Sequence, residues 1–124
     1  MEETSVRQAA VDELPSTFEA DDSAANESGG DAAVLLDVRE DDEWQLGHAP
    51  GARHIPMGEV PTRLEEIPTD AELYVICHGG GRSQRVADYL VRNGYQPVNV
   101  RGGMAAWAGA GRPVVTDDGR AGAV

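Results

Sequence analysis

Two short apolar runs place the strongest limit on how this chain can fold. Residues 33–38 (AVLLDV) and 73–77 (LYVIC) lack the regular polar alternation of a strand with one face in water, which predicts strands buried on both faces. A third strand is predicted over residues 97–100, and a short one at the end of a Pro-Gly turn over residues 48–55. Helical patterns lie between them, at residues 41–46, 60–67, 83–93 and 104–110. Alternating strands and helices predict an α/β domain with a mostly parallel sheet.

The length of 124 residues suits a single domain that buries a core without disulfides or a structural metal. We divide the chain into three parts. Residues 1–30 form an N-terminal segment, and the small, acidic stretch over residues 19–31 is predicted to be a loop or linker. Residues 31–115 form the folded domain, and residues 116–124 are predicted to be a disordered tail.

The chain is strongly acidic. Ten basic residues against 22 Asp and Glu give a net charge of -12, which disfavours binding to nucleic acid or to an anionic membrane surface. The sequence has neither a signal peptide nor an apolar stretch of membrane-spanning length. A single cysteine excludes an internal disulfide and thiolate-rich zinc sites. The expected compartment is the reducing cytoplasm, which keeps a lone thiol usable. The sequence implies no metal or organic cofactor.

The segment CHGGGRS contains that cysteine, Cys77, directly after a predicted buried strand and before a helix. The carboxyl end of a parallel strand is the usual ligand-binding edge of an open α/β sheet. Three glycines let the backbone turn with its N–H groups free to converge on an anion, and the helix start adds the positive end of its dipole. We therefore predict a thiol with a lowered pKa, with Arg82 as a nearby cation. Ser83 is predicted to cap the helix, and a hydrogen bond to the sulfur is a second hypothesis.

An inert role for Cys77 is the alternative, because a free cysteine at the end of an apolar strand is usually a small buried hydrophobic residue. The glycine run by itself is also compatible with a simple turn. The combination of cysteine, glycines, arginine and helix start in one short segment favours the catalytic interpretation. The loop residues of this candidate site are His78, Gly79, Gly80, Gly81, Arg82 and Ser83.

Four segments in order resemble the rhodanese (thiosulfate sulfurtransferase) family in its single-domain form. They are LLDVRE at residues 35–40, GHAPGARHIP at 47–56, CHGGGRS at 77–83 and NGYQPVNVRGGMAAW at 93–107. The third resembles the active loop of the family, which has the form C-x-x-G-x-R-S. The resemblance implies a rhodanese-like α/β fold with a central, mostly parallel, five-stranded sheet and helices on both faces.

The resemblance also implies a sulfurtransferase that works by double displacement. Cys77 takes the outer (sulfane) sulfur of a donor such as thiosulfate, a polysulfide or a persulfide. The Cys77 persulfide then passes it to cyanide or to a thiol acceptor, which can belong to a protein. The active loop typical of cysteine-dependent phosphatases is longer and has the form C-x5-R. In this chain four residues separate Cys77 from Arg82, so phosphatase activity is not expected.

Four further residues near strand ends are candidates for supporting roles. Asp37 and Arg39 end the first buried strand and are predicted to help position the loop, with a purely structural ion pair, such as Arg39 with Glu43, as the alternative. Arg101 and Gly102 follow another strand and are predicted to border the pocket.

Two histidines receive different interpretations. His78 lies inside the loop, where an imidazolium favours the thiolate or attracts an anionic donor, and a solvent-facing side chain is the equal alternative. His48 is predicted to brace a turn and not to act as a base. Because the loop has only Arg82 and His78 as basic residues, we expect modest activity with thiosulfate and better activity with a polysulfide or a persulfide.

Two other classes of function compete with the enzyme. A non-catalytic docking or regulatory module of the same fold would have little turnover, and the intact Cys77 argues against it. A redox sensor would need a thiol from outside the chain, because Cys77 is the only cysteine.

Overall fold

The computed structural model describes residues 6–19 and 33–124. Five parallel strands form one sheet, in the order β1-β5-β4-β2-β3. Their bounds are Arg7–Ala9 for β1, Ala33–Asp37 for β2, Arg53–His54 for β3, Glu72–Ile76 for β4 and Pro97–Val100 for β5. The predicted α/β class with a five-stranded sheet is confirmed. Because the strands are parallel, their carboxyl ends lie at one edge of the sheet.

Within residues 6–19 and 33–124, three α-helices and two 3₁₀ segments lie between or after the strands. The helices are α1 at Asp41–Leu46, α2 at Gly81–Arg92 and α3 at Gly103–Gly109. The 3₁₀ segments are Val11–Glu13 and Met57–Glu66. Within the two described ranges, no helix has both the length and the apolar character needed to cross a membrane.

Each face of the sheet has its own apolar cluster, because successive residues of a strand point to opposite faces. Val34 and Leu36 of β2 belong to the cluster that α2 and the longer 3₁₀ segment cover. Leu35 belongs to the cluster covered by α3 and the N-terminal 3₁₀ segment, which includes Trp107. Cys77 lies in the α2-side cluster, so its side chain points into the protein from the end of β4.

The helix predicted over residues 60–67 is wrong in type. The segment Met57–Glu66 is 3₁₀, and the backbone at Arg63 is non-helical with φ of -123° and ψ of 24°. Pro61 lies inside the segment and has no N–H to donate, so a regular α-helix cannot run through it. The apolar residues of the predicted helix nevertheless face the core, since Val60 and Ile67 are buried.

The N-terminal segment contributes strand β1, which the sequence did not predict. It pairs in parallel with β5, with Arg7 opposite Val98 and Ala9 opposite Val100. A strand of three residues is too short to produce a periodic signal. Strand β1 therefore belongs to the same sheet as the rest of the domain, although the domain was predicted to start at residue 31. The acidic loop predicted over residues 19–31 lies outside the described residues, except for Glu19.

The C-terminal tail is held by backbone hydrogen bonds, which differs from the disorder predicted for residues 116–124. The Thr116 N–H donates to the Arg120 carbonyl at 2.8 Å, which closes a turn. The Ala123 N–H donates to the Leu46 carbonyl at 2.9 Å, which attaches the tail to the end of α1. Main-chain groups are present in every residue, so contacts of this kind leave no side-chain pattern in the sequence.

Candidate active site

Cys77 follows β4 at the carboxyl edge of the sheet, and the loop after it leads into α2. Gly80 has a φ of +111°, a left-handed conformation that favours glycine. This turn lets α2 begin at Gly81, with Gly80 as its N-cap. The helix therefore starts two residues earlier than predicted, and the predicted capping role of Ser83 is wrong.

The sulfur of Cys77 lies among hydrogen-bond donors. The Gly80 N–H donates to Sγ at 3.1 Å, and the Ser83 hydroxyl oxygen lies 3.4 Å from Sγ. Burial raises the pKa of Cys77, but hydrogen bonds from the Ser83 hydroxyl and from the N–H groups of Ser83, Gly80 and Gly79 outweigh it, so the pKa is below its ordinary value. Because Cys77 is only 1% exposed, these donors act in surroundings of low polarity. The geometry favours a thiolate.

The start of α3 holds the loop through its backbone. The Met104 N–H donates to the Cys77 carbonyl at 2.8 Å, and the Ala105 N–H donates to the His78 carbonyl at 3.0 Å. Gly103 has a φ of +57°, and a Cβ at this position would lie 2.3 Å from the Cys77 carbonyl oxygen. Only glycine allows this close approach, so Gly103 belongs to the site although the sequence did not single it out.

The two residues predicted to border the pocket lie differently. Gly102 is the N-cap of α3, and a Cβ on Gly80 would come 3.4 Å from the Gly102 nitrogen, so Gly102 borders the loop with its backbone. Arg101 is exposed, and its N–H donates to the Ala9 carbonyl of β1 at 2.8 Å. Its backbone therefore joins the ends of β5 and β1.

A polar network adjoins Ser83. The Ser83 hydroxyl oxygen lies 2.6 Å from Oδ1 of Asn99, and Nδ2 of Asn99 donates to Oε1 of Gln8 at 2.9 Å. Nδ2 also lies 3.2 Å from Oε1 of Gln84. Asn99 was not predicted as a site residue, although an asparagine inside a buried strand is a recognisable signal, because buried polar groups require partners. No sequence pattern indicated that Gln8 lies near the site, because it belongs to the short strand β1.

Arg82, the predicted cation of the loop, is bound by Glu43 of α1. Its Nη1 and Nη2 atoms donate to the two carboxylate oxygens of Glu43 at 2.7 and 2.9 Å. The hydrogen bonds from Arg82 lower the pKa of Glu43 to about 2, against an opposing effect of burial and with help from the Glu40 N–H. The loop cation therefore has a counter-ion in the protein itself, which the sequence did not predict.

Asp37 and Arg39 form a second ion pair. Nε and Nη2 of Arg39 donate to the two carboxylate oxygens of Asp37 at 3.0 and 2.8 Å. Arg39 also donates to the backbone carbonyls of Gly47 at 2.8 Å and Glu43 at 3.4 Å. The alternative in which Arg39 pairs with the Glu43 carboxylate is wrong, because Arg82 occupies that carboxylate. Arg39 instead holds the backbone of α1, the helix that bears Glu43.

The histidines also differ in their surroundings. His78 has an exposed side chain at the surface of the loop, in agreement with the solvent-facing interpretation. His48 is buried, with Nδ1 2.9 Å from the Trp44 carbonyl and its ring stacked on the Trp44 ring at 3.5 Å between centroids. These contacts agree with the predicted bracing role of His48.

The arrangement is suited to stabilising a negatively charged sulfur. The loop N–H groups, the start of α2 and the Ser83 hydroxyl all direct partial positive charge toward Cys77. Among the residues that the structure describes, no three His, Cys, Asp or Glu side chains form a group that could hold a metal ion.

The chain is similar in sequence and in structure to several known proteins. A family model described as the rhodanese-like domain matches residues 20–110. YtwF of Bacillus subtilis, named as a candidate sulfurtransferase, is 47% identical over 79 residues, covering 64% of this chain and 77% of that protein. A sulfurtransferase of Allochromatium vinosum is 40% identical over 87 residues, covering 69% of this chain and 81% of that protein. A rhodanese-like domain protein from Staphylococcus aureus has a crystal structure with a TM-score of 0.68 and 35% identity, covering 82% of this chain and 91% of that one.

The matched range of 20–110 includes strands β2 to β5, the Cys77 loop and all three α-helices of the described chain. The four sequence motifs lie within the same range. The likeness thus covers both the scaffold and the candidate site, and the chain belongs to the rhodanese-like domain family.

Proposed function

We propose that this protein is a sulfurtransferase in which Cys77 holds the transferred sulfur as a persulfide. The main support is the hydrogen bonding of the Cys77 sulfur by the Gly80 N–H and the Ser83 hydroxyl, which favours an anionic sulfur. Family membership and a relative named sulfurtransferase support sulfur transfer in general. A reducing compartment such as the cytoplasm is part of the proposal, because the thiol must remain reduced between turnovers.

In the first step the Cys77 thiolate attacks the outer sulfur of the donor. A new S–S bond forms on Cys77, the S–S bond of the donor breaks, and its electron pair leaves with the departing group. With thiosulfate the departing group is sulfite, and with glutathione persulfide it is the glutathione thiolate. The product on the protein is a persulfide anion, which the donors around Cys77 stabilise as they stabilise the thiolate.

In the second step an acceptor thiolate attacks the outer sulfur of the Cys77 persulfide. The S–S bond to Cys77 breaks, the acceptor leaves as a persulfide, and the Cys77 thiolate returns. Cyanide reacts in the same way and leaves as thiocyanate. No net oxidation or reduction of the protein occurs over the cycle, so no cofactor is needed for the electron balance.

The ion pair of Arg82 favours donors of low charge. Both guanidinium nitrogens that face Glu43 are occupied by its carboxylate, so a dianion such as thiosulfate must compete with Glu43 for them. The net charge of -12 adds long-range repulsion, which salt weakens. We therefore expect a higher kcat/KM with a persulfide or a polysulfide than with thiosulfate. A higher kcat/KM with thiosulfate would contradict this choice of donor.

The central test is the intact mass of the protein after incubation with a sulfane donor. We expect a gain of one sulfur atom that is absent in Cys77→Ser, which keeps the size of the side chain and removes the nucleophilic sulfur. Adding a thiol acceptor should remove the extra mass and produce the acceptor persulfide.

The alternative function is a docking or regulatory module with little turnover. It would be supported if thiosulfate, polysulfide and glutathione persulfide all left the mass of the folded protein unchanged. A circular dichroism spectrum of the same sample confirms that the protein tested is folded.

A further inference from the structure

We propose that Asn99 is a positioning residue for Cys77, because its amide decides whether the Ser83 hydroxyl donates its proton to the sulfur. The inference rests on the proposed role of Cys77 as the nucleophile. It adds to that role the buried Asn99 side chain of β5, which makes no hydrogen bond to the sulfur.

The Ser83 hydroxyl has three acceptors within reach and one proton. Its oxygen lies 2.6 Å from Oδ1 of Asn99, 3.2 Å from the Gly80 carbonyl and 3.4 Å from Sγ of Cys77. A hydroxyl proton can make one strong hydrogen bond at a time. Since the contact with Asn99 is the shortest of the three, the amide oxygen competes directly with the sulfur for this proton.

The Asn99 side chain has a second orientation, in which its oxygen and nitrogen exchange places. Nδ2 then donates to the Ser83 oxygen, and the Ser83 hydroxyl is free to donate to the Cys77 sulfur. This change needs rotation of side-chain groups only. An anionic sulfur is a stronger acceptor than a neutral thiol, so a thiolate or persulfide at Cys77 favours the second orientation.

Rotation of the Asn99 amide also affects the glutamine side chains that it contacts. Nδ2 of Asn99 donates to Oε1 of Gln8, and Nε2 of Gln8 donates to Oε1 of Gln84 at 2.6 Å. Rotating Asn99 places its oxygen opposite Oε1 of Gln8 and also opposite Oε1 of Gln84, which lies 3.2 Å from Nδ2, so both glutamine amides must rotate as well. The long contact of 3.5 Å from Nδ2 to the Gly80 carbonyl is lost. Gln8 is exposed, so water can replace any partner that it loses. The proton of the Ser83 hydroxyl is thus directed at the buried pair of Ser83 and Asn99. The exposed Gln8 and the half-buried Gln84 allow the arrangement to reverse.

Other charged or titratable groups lie near the Cys77 loop. They are Arg82 on α2, its partner Glu43 on α1, the exposed His78 in the loop, and the buried pair of Asp37 and Arg39 at the end of β2. A test of the Asn99 amide must leave these groups unchanged. We therefore restrict the variants to the hydroxyl and the amide themselves.

The test compares the pKa of Cys77 in a double-mutant cycle, read from the ultraviolet absorbance of the thiolate during a pH titration. Asn99→Asp places an ionised oxygen acceptor beside the Ser83 hydroxyl and draws its proton away from the sulfur. We expect the pKa of Cys77 to rise by about one unit, which is about tenfold less thiolate at a given pH below the pKa. In the Ser83→Ala background the added charge is the same but there is no proton to compete for, so the rise should be at most half as large.

An equal rise in the two backgrounds would mean that the carboxylate acts by its charge alone, and it would overturn the proposal. Absence of a rise in the protein that keeps Ser83 would overturn it as well. Neither result depends on a sulfur donor, so failure of this inference is distinct from failure of the proposed sulfur transfer.

A second measurement uses the unaltered protein in case Asn99→Asp does not fold. The side-chain amide signals of Asn99 in NMR spectra should shift as Cys77 titrates. The shift should be absent in Cys77→Ala, which lacks the titrating sulfur, and reduced in Ser83→Ala, which lacks the connecting hydroxyl. Amide signals that stay constant through the titration of Cys77 would contradict the proposal.

Discussion

Two arginine–carboxylate pairs meet at α1 and differ mainly in their exposure to water. The pair of Arg39 and Asp37 has side chains that are 1% and 0% exposed, and Arg39 also holds two backbone carbonyls. The pair of Arg82 and Glu43 has side chains that are 30% and 29% exposed. In both pairs, two guanidinium nitrogens donate to the two oxygens of one carboxylate, so the chemistry of the contact is the same.

The difference in exposure gives the two pairs different roles. Removing one partner of a buried pair leaves a charge without water or counter-ion, so the pair behaves as a fixed part of the structure. Water can solvate a partly exposed pair when it opens, so the energy needed to separate it is small. Arg39 therefore fixes the backbone of α1, whereas Arg82 can separate from Glu43 at a small cost in free energy.

Breaking the buried pair has the largest expected effect. Asp37→Asn keeps the shape of the side chain and removes the charge that compensates Arg39, so we expect the free energy of unfolding to fall by about 3–5 kcal/mol. Urea denaturation followed by circular dichroism measures this loss. The control is Glu59→Gln, which breaks an exposed contact with Arg63 and should cost less than about 1 kcal/mol. Similar losses in the two variants would show that burial does not distinguish the pairs.

Releasing Arg82 should change donor preference more than stability. In Glu43→Gln the guanidinium is no longer held by a carboxylate, so we expect kcat/KM with thiosulfate to rise roughly fivefold, equivalent to about 1 kcal/mol. The change with glutathione persulfide should be smaller, because this donor has less charge at the reacting end. Steady-state kinetics with both donors provide the measurement.

The matched control for this variant is Asp41→Asn, which removes one negative charge from the same helix without a hydrogen bond to Arg82. We expect little change in kcat/KM with thiosulfate for Asp41→Asn. If the two variants raised the rate equally, the effect would come from net charge and not from the release of Arg82.

The pH dependence of stability gives the smallest expected effect. The pKa of Glu43 falls from 4.5 to about 2 in the folded protein, so its contribution is fully present above about pH 4.5 and is lost as the pH falls through about 2. We expect the difference in unfolding free energy between the wild type and Glu43→Gln to be at most about 1 kcal/mol, because the pair is partly exposed. Urea denaturation at several pH values measures it. A difference that grew on acidification would have the wrong sign.

Local patterns explain why the strands beside the site could be predicted. β2 and β4 are buried on both faces, so their apolar runs are visible without knowledge of any partner. The Cys77 loop was found because its glycines and arginine are adjacent in the chain. Strand β1 was missed because three residues give no periodicity, and its place in the sheet depends on pairing with β5. The tail after Val115 was missed because its attachment to α1 consists of backbone hydrogen bonds and a side-chain contact, from Nε1 of Trp44 to Asp117, that joins residues 73 positions apart.

The sequence by itself determined the α/β class, the rhodanese-like family and the position of Cys77 at the end of a buried strand. Tertiary structure alone decided which polar groups are partners: Glu43 holds Arg82 from 39 positions away, and Ser83 lies between Cys77 and Asn99. The physical reason is that periodicity only sets the face on which a side chain lies. Hydrogen-bond partners depend on distance and burial after the strands and helices have packed together.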